Sequence, residues 1–305
     1  MPSDGSADRP DVSDVLTLDT TELGPLTRPV LVVGLTGWFD VAGAATAALG
    51  HLVKGAITVG EIDPDPFYDF TQERPTVELV DGETRRISWP SNAFRVVRTG
   101  GARDLVVLSG VEPHLAWPVY VGCIRAVVDD LGCGAVVTVG ATADAVPHTR
   151  LPPVVGSTAD ADLAGRLALS APTYQGITGL IGVLHVELER VGIPTISLRV
   201  GVPHYLTHIE HPLAVTALIR HLAHVLGVPL TVDLSADVDR MAVQHAELVD
   251  SDEQMGAYVR MLEIEYDRRA EATLRTADDI AERFEEFLRD QRPGEPDDPA
   301  GAPPS

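Results

Sequence analysis

The chain has 305 residues, 45% of them hydrophobic, and carries 45 acidic against 23 basic side chains for a formal net charge of -22. It is long enough to bury a substantial core in one large or two smaller domains. A surface this acidic repels nucleic-acid phosphates and anionic headgroups. No stretch approaches the roughly 18 to 20 uninterrupted apolar residues of a membrane span, and the first residues show no basic segment followed by an apolar one. Nucleic acid and membrane are thereby excluded as partners, and the cytoplasm is the expected location.

Residues 1–13 are polar, with Pro2, Gly5 and Pro10, and are expected to be flexible. An α/β domain is predicted over 14–232. Its central strands are short β-branched runs at 30–33, 57–62, 105–108, 136–139 and 195–198, each apolar enough to be covered on both faces. Helical patterns follow at 41–52, 117–131, 178–191 and 212–226. The last three end at Gly132, Gly192 and Gly227, where a left-handed cap costs least. Between them, TVELVDGETRRISWP reads as a hairpin turning at Asp81 and Gly82, which makes the sheet mixed. The fold class expected is therefore α/β, a three-layer α/β/α sandwich with a mostly parallel mixed sheet, followed by a C-terminal helical appendage. Cys123 and Cys133 sit in or near an apolar helix-to-strand segment, read as two buried free thiols, and they are too few for a cysteine zinc site.

Residues 233–291 form an acidic amphipathic arm, and from Asp233 to the last residue the chain holds 20 of the acidic and 8 of the basic residues. Three apolar stripes mark it: Val238, Met241, His245 and Leu248; Met255, Val259, Leu262 and Tyr266; Ile280, Phe284 and Phe287. Ser235, Ser251 and Thr276 are placed as N-caps, the latter two with Gln254 and Asp279 three residues on. Residues 292–305, RPGEPDDPAGAPPS, are expected to be disordered.

The glycine-rich segment GLTGWFDVAGAA fails two phosphate-loop tests. A P-loop needs Lys and Ser or Thr after its glycines, and the dinucleotide fingerprint needs its first two glycines one residue apart. It reads as a strand-to-helix corner with Asp40 capping the helix, an anion site at the helix start being the alternative. In VPHYLTHIEHP, His204, His208, Glu210 and His211 lie in a loop bracketed by Pro203 and Pro212 and lack the H-E-x-x-H spacing, so no metal is assigned. Ser109, in LSGVEP, is not in a nucleophile elbow and reads as a strand-end residue. No cofactor is implied.

The chemically loaded positions fall after successive strands: Gly37, Trp38 and Asp40; Glu112 and His114; Thr142, Asp144, His148 and Arg150; His204 and Tyr205. Loops beyond the carboxyl ends of parallel strands gather along one edge, where ligands bind, so these residues form the candidate pocket. Were the protein an enzyme, Glu112 would serve as general base or ribose-binding acid, Arg150 as an anion clamp, and His148 would converge with them. The alternative is that these side chains form ion pairs and turn caps.

Taken in order, GLTGWFDVAGAA, SWPSNAF, LSGVEPHLAW, VPHTRLPPVVGS, YQGITGLIGVLHVELERVGIPTISLRVGVPHYL and HPLAVTALIRHL resemble the proteasome assembly chaperone 2 family in its actinobacterial branch, over residues 14–232. The resemblance implies a core similar to phosphorylase- and hydrolase-like nucleoside enzymes, a non-enzymatic role in protein-complex assembly, proteasome subunits or another protein client as partners, and a homo-oligomer, with a trimer the expected form. A nucleoside phosphorylase- or hydrolase-like enzyme is the alternative. The chain departs from the family in ending GAPPS, without the hydrophobic, tyrosine, any-residue terminus with which several proteasome-binding proteins dock. It also has isoleucine in GITGL where relatives carry proline, and an extra valine after Asp40.

Overall fold

The computed structural model describes the backbone of residues 10–290 and the side chains of 10–271. The readings of residues 1–9 and 291–305, and the packing of Ile280, Phe284 and Phe287, lie outside what is described. In chain order the elements are α1 (Val12–Val15), β1 (Leu16–Leu18), β2 (Val30–Thr36), α2 (Ala44–Leu52), β3 (Ile57–Ile62), β4 (Thr76–Val80), β5 (Thr84–Ser88), β6 (Asn92–Val97), β7 (Leu105–Val111), α3 (Trp117–Leu131) and β8 (Val136–Asp144). There follow β9 (Val154–Ser157), α4 (Ala161–Leu167), α5 (Leu180–Arg190), β10 (Thr195–Pro203), α6 (Pro212–Leu226), α7 (Ser235–Asp250) and α8 (Glu253–Asp290).

Eight strands form one mixed sheet in the order β1-β3-β6-β7-β2-β8-β10-β9. Its centre, β7-β2-β8-β10, is parallel, and antiparallel strands flank it on both sides. Alternation along a strand sends side chains to opposite faces. In β2, Val30 and Val32 therefore join α2 and α6 in one core layer, while Leu31, Val33 and Leu35 join α3 and α5 in the other. Because both faces are covered, these central strands read as continuous apolar runs. The predicted three-layer α/β class is what the structure has. Helices α3 and α6 close at Gly132 and Gly227, both left-handed, as their sequence position predicts. Both cysteines are free and buried.

Three expectations are corrected. The run at β3 is not a central parallel strand: it pairs antiparallel with β1 and β6 near the sheet edge, and Ile57 is exposed. The Asp81-Gly82 hairpin forms, with both residues at positive φ, but β4 and β5 make a separate two-stranded sheet, so the mixed character of the main sheet comes from other strands. Val77, Leu79, Ile87 and Trp89 consequently stay exposed. In the arm, α8 runs unbroken through Thr276, so that residue starts no helix. Asp252 rather than Ser251 accepts from the first backbone N–H groups of α8, Gln254 and Met255, and the N-cap of α7 is Leu234, one residue before Ser235. The buried stripe of α7 is Met241, His245 and Val249, with Leu248 facing solvent. No helix among the described residues is long and apolar enough to cross a membrane.

Candidate functional site

The carboxyl ends of β7, β2, β8 and β10 lie side by side along one sheet edge, and the loops that follow them divide it into two unlike halves. On the β7-β2 half, the glycine-rich corner is built around two carboxylates. Asp40, 6% exposed, accepts hydrogen bonds from the Ala45 N–H (2.7 Å) and from the Thr46 backbone and hydroxyl. It therefore caps α2 across the single tight turn Val41–Gly43 rather than from the position next to the helix. Burial raises its pKa while these bonds oppose the rise. Phe39 is tied to the neighbouring strand: its carbonyl accepts from the Ala141 N–H at 2.9 Å, and its ring lies where a side chain at Gly140 would fall.

Glu112 holds two loops at once. One carboxylate oxygen accepts from the Trp38 N–H (3.2 Å) and the other from the Leu180 N–H (3.0 Å), the first residue of α5, where a negative charge suits the helix dipole. Gly37 and Gly179 make this approach feasible, since a Cβ at either would sit 2.7 Å and 3.1 Å from the Glu112 oxygens. The glycines of the opening motif thus clear space for a carboxylate of the protein itself.

Beside Glu112 lies an open cavity of about 820 Å³, lined by Trp38, Glu112 and His114 from the predicted loops and by Tyr68, Asp69, Phe70, Glu73 and Trp117, among others. Asn92, fully buried, bonds the Tyr68 hydroxyl and the Val111 N–H, fastening the 63–73 loop to the end of β7. The Asp69 N–H donates to His114 Nδ1, which leaves the ring proton on Nε2. Bonds from the Thr71 hydroxyl, the Gln72 amide and the Thr71 backbone hold the Asp69 carboxyl down to about 2.

The β8-β10 half is covered by the arm. Arg150 makes a two-pronged bond to Asp267 (2.9 Å each) and reaches Glu263 at 3.4 Å, both on α8. The Tyr266 hydroxyl donates to the Leu151 carbonyl. The Tyr205 hydroxyl accepts from the His148 backbone N–H and shares a further hydrogen bond with His148 Nδ1 (3.0 Å). The His245 ring meets that of His148 edge-on and that of His211 at a tilt, with His211 donating to the Leu206 carbonyl and His245 to that of Glu210. Burial is the first cause that lowers all three pKa values, and the neighbouring imidazoles lower His148 and His211 further. His204 donates to the Asp144 carbonyl and meets the Tyr258 hydroxyl. No three His, Cys, Asp or Glu among the described residues are placed to hold a metal.

The sequence model of the PAC2 family matches residues 34–249, the core from the end of β2 through nearly all of α7. This chain belongs to the PAC2 family. Its fold is similar to that of a PAC2 family protein from Streptomyces avermitilis, 36% identical over 76% of this chain and 99% of that one, with a TM-score of 0.69. The proteasome-assembly chaperone homologue of Mycobacterium tuberculosis is 35% identical over 75% of this chain and 99% of that one, with a TM-score of 0.68. A proteasome activator from Pyrococcus furiosus, at 19% identity, 78% and 98% coverage and a TM-score of 0.60, shares the fold. No curated protein matches significantly.

In this PAC2 protein the predicted residues fall into two groups. Gly37, Trp38, Glu112 and His114 line the cavity; Asp144, His148, Arg150, His204 and Tyr205 pack against each other and the arm; Asp40 lies between, and Thr142 is half-buried in β8 beside Gly201. Glu112 is therefore separated from His148 and Arg150, which are not among the residues of the cavity wall. Sequence reasoning missed Tyr68, Asp69, Phe70, Glu73 and Trp117. The segment DPDPFYDFTQE, aromatic and acidic between a strand and a hairpin, was the available signal.

Proposed function

We propose that this PAC2 protein acts without catalysis in protein-complex assembly, with proteasome subunits as the client class, and that it works as a cytoplasmic homo-oligomer, a trimer being the expected form. The observation that carries the reading is how the reactive side chains are used. Both Glu112 oxygens hold backbone N–H groups, Asp40 caps a helix, and Arg150 is paired to α8, while Trp38, Tyr174 and Ile177 stand 69%, 71% and 85% exposed. Groups engaged in this way position loops, and exposed aromatic and aliphatic side chains are what protein interfaces use. The similarity to a proteasome-assembly chaperone homologue at 35% identity supports proteasome subunits as the client class.

Co-expression of the chain with proteasome α-subunits of its own host, followed by native mass spectrometry, tests the proposal. A complex with free α-subunits and faster ring formation is expected; no association and unchanged ring assembly would overturn it. A second reading, a phosphorolytic or hydrolytic enzyme for a nucleoside-like molecule, rests on the cavity beside Glu112. Thermal-shift titration with nucleosides, sugars and phosphate separates the two, absence of any shift favouring the assembly role.

A further inference from the structure

The cavity beside Glu112 has a chemical bias of its own. Its wall carries three carboxylates, Asp69, Glu73 and Glu112, and four aromatic side chains, Trp38, Tyr68, Phe70 and Trp117, with neither arginine nor lysine among the residues that line it. No ion pair among the described residues neutralises any of the three carboxylates. The hydrogen bonds that Asp69 and Glu112 accept come from neutral amides and a hydroxyl, and His114 is the one imidazole in the wall.

A second observation lies behind the wall. Tyr120, one turn along α3 from Trp117, is fully buried, and its hydroxyl has no hydrogen-bond partner among the described residues. Its ring meets edge-on that of Phe67, the neighbour in sequence of the wall residue Tyr68, at a centroid distance of 5.4 Å. A buried hydroxyl without a partner is costly and asks for a polar group or water to satisfy it.

We infer that this cavity binds a guanidinium group, an arginine side chain presented on a peptide. Aromatic faces attract a cation through their quadrupole, and a planar guanidinium both stacks on them and meets carboxylates with two parallel N–H donors, which an ammonium does not. The ring of Trp38 is the exposed face, and Glu73 and Asp69 supply the acceptors from the 63–73 loop. A volume of about 820 Å³ exceeds what a lone guanidinium fills and leaves room for the flanking backbone. The inference deepens the protein-binding reading by naming what the partner presents, and it holds whether or not that partner is a proteasome subunit.

The test uses the full chain and three synthetic probes: acetyl-Gly-Arg-Gly-amide, the same peptide with neutral citrulline, and free arginine, with tryptophan fluorescence and calorimetry as readouts. The arginine peptide is expected to bind at least tenfold more tightly than the citrulline peptide. Glu73→Gln and Trp38→Ala are each expected to weaken it by tenfold or more with an unchanged unfolding midpoint, because Trp38 is exposed and Gln keeps the shape of the half-buried Glu73. Tighter binding of the peptide than of free arginine supports a side chain on a partner, and equal binding supports a free guanidinium ligand. Equal binding of the citrulline peptide, an equally tight lysine peptide, no binding of any probe at millimolar concentration, or indifference to Glu73→Gln would overturn the inference. Since no proteasome subunit is present, failure here is distinguishable from failure of the assembly role.

Discussion

Acidification from pH 7 to pH 5 is expected to cost the fold about 4 kcal/mol, chiefly through His185 and His211. Burial is the first cause holding both imidazoles from their ordinary 6.5 down to about 4. His185 stands 2.9 Å from the Thr138 hydroxyl beneath the sheet. His211, 5% exposed, is faced by His245 and His148, whose charges would oppose its own. The unfolded chain takes up these protons near pH 6.5 while the fold resists until near 4. Stability is therefore complete above the first value and is lost as pH falls toward the second. At pH 5 each imidazole shifted this far removes about 2 kcal/mol. Asp69, held near 2, titrates below the window. Urea unfolding at pH 7, 6 and 5, on the chain and on the double variant His185→Gln with His211→Gln, measures the effect. The variant should flatten the dependence to what His148 and His245 leave. Equal stability of the chain at pH 7 and 5, or the same slope in the variant, would refute the reasoning.

Two further outcomes follow from the strand-end loops. Glu112→Ala deprives the Trp38 and Leu180 N–H groups of their acceptor and should lower unfolding stability by about 1–3 kcal/mol; a variant as stable as the parent would show that the carboxylate does not hold these loops. Arg150→Ala should change global stability by about 1 kcal/mol or less, its side chain being 35% exposed, yet raise proteolytic cleavage within α8 several-fold. An unchanged cleavage rate would show that the arm is held without this ion pair.

The strands legible in the sequence are those buried on both faces. In β2, β7, β8 and β10 neither face meets water over most of the strand, so apolar residues run without interruption. The flanking strands escaped for the converse reason: β6 carries Asn92 and Arg95 among its apolar residues, and β1 and β9 are three and four residues long. The β3 run misled because six residues of apolar character do not say on which side the chain pairs. Helix ends at Gly132 and Gly227 were legible because the cap conformation is a local matter. The site was less so. Glu112 was a reasonable choice as a reactive carboxylate, but its partners lie 74 and 68 residues away, and no local pattern records a contact of that span. Arg150 likewise meets its acids 113 and 117 residues later.

The anchoring of the corner between β2 and α2 bears on how fast anything can settle on Trp38. Its N–H is held by Glu112, the next carbonyl is held by Ala141, and the Phe39 ring fills the hollow over Gly140. The backbone around the indole is thus ordered before any encounter, and only the two torsions of the side chain remain to be fixed on contact. A partner docking at this point would pay little entropy to order the backbone, and its rate would be set by diffusion and orientation.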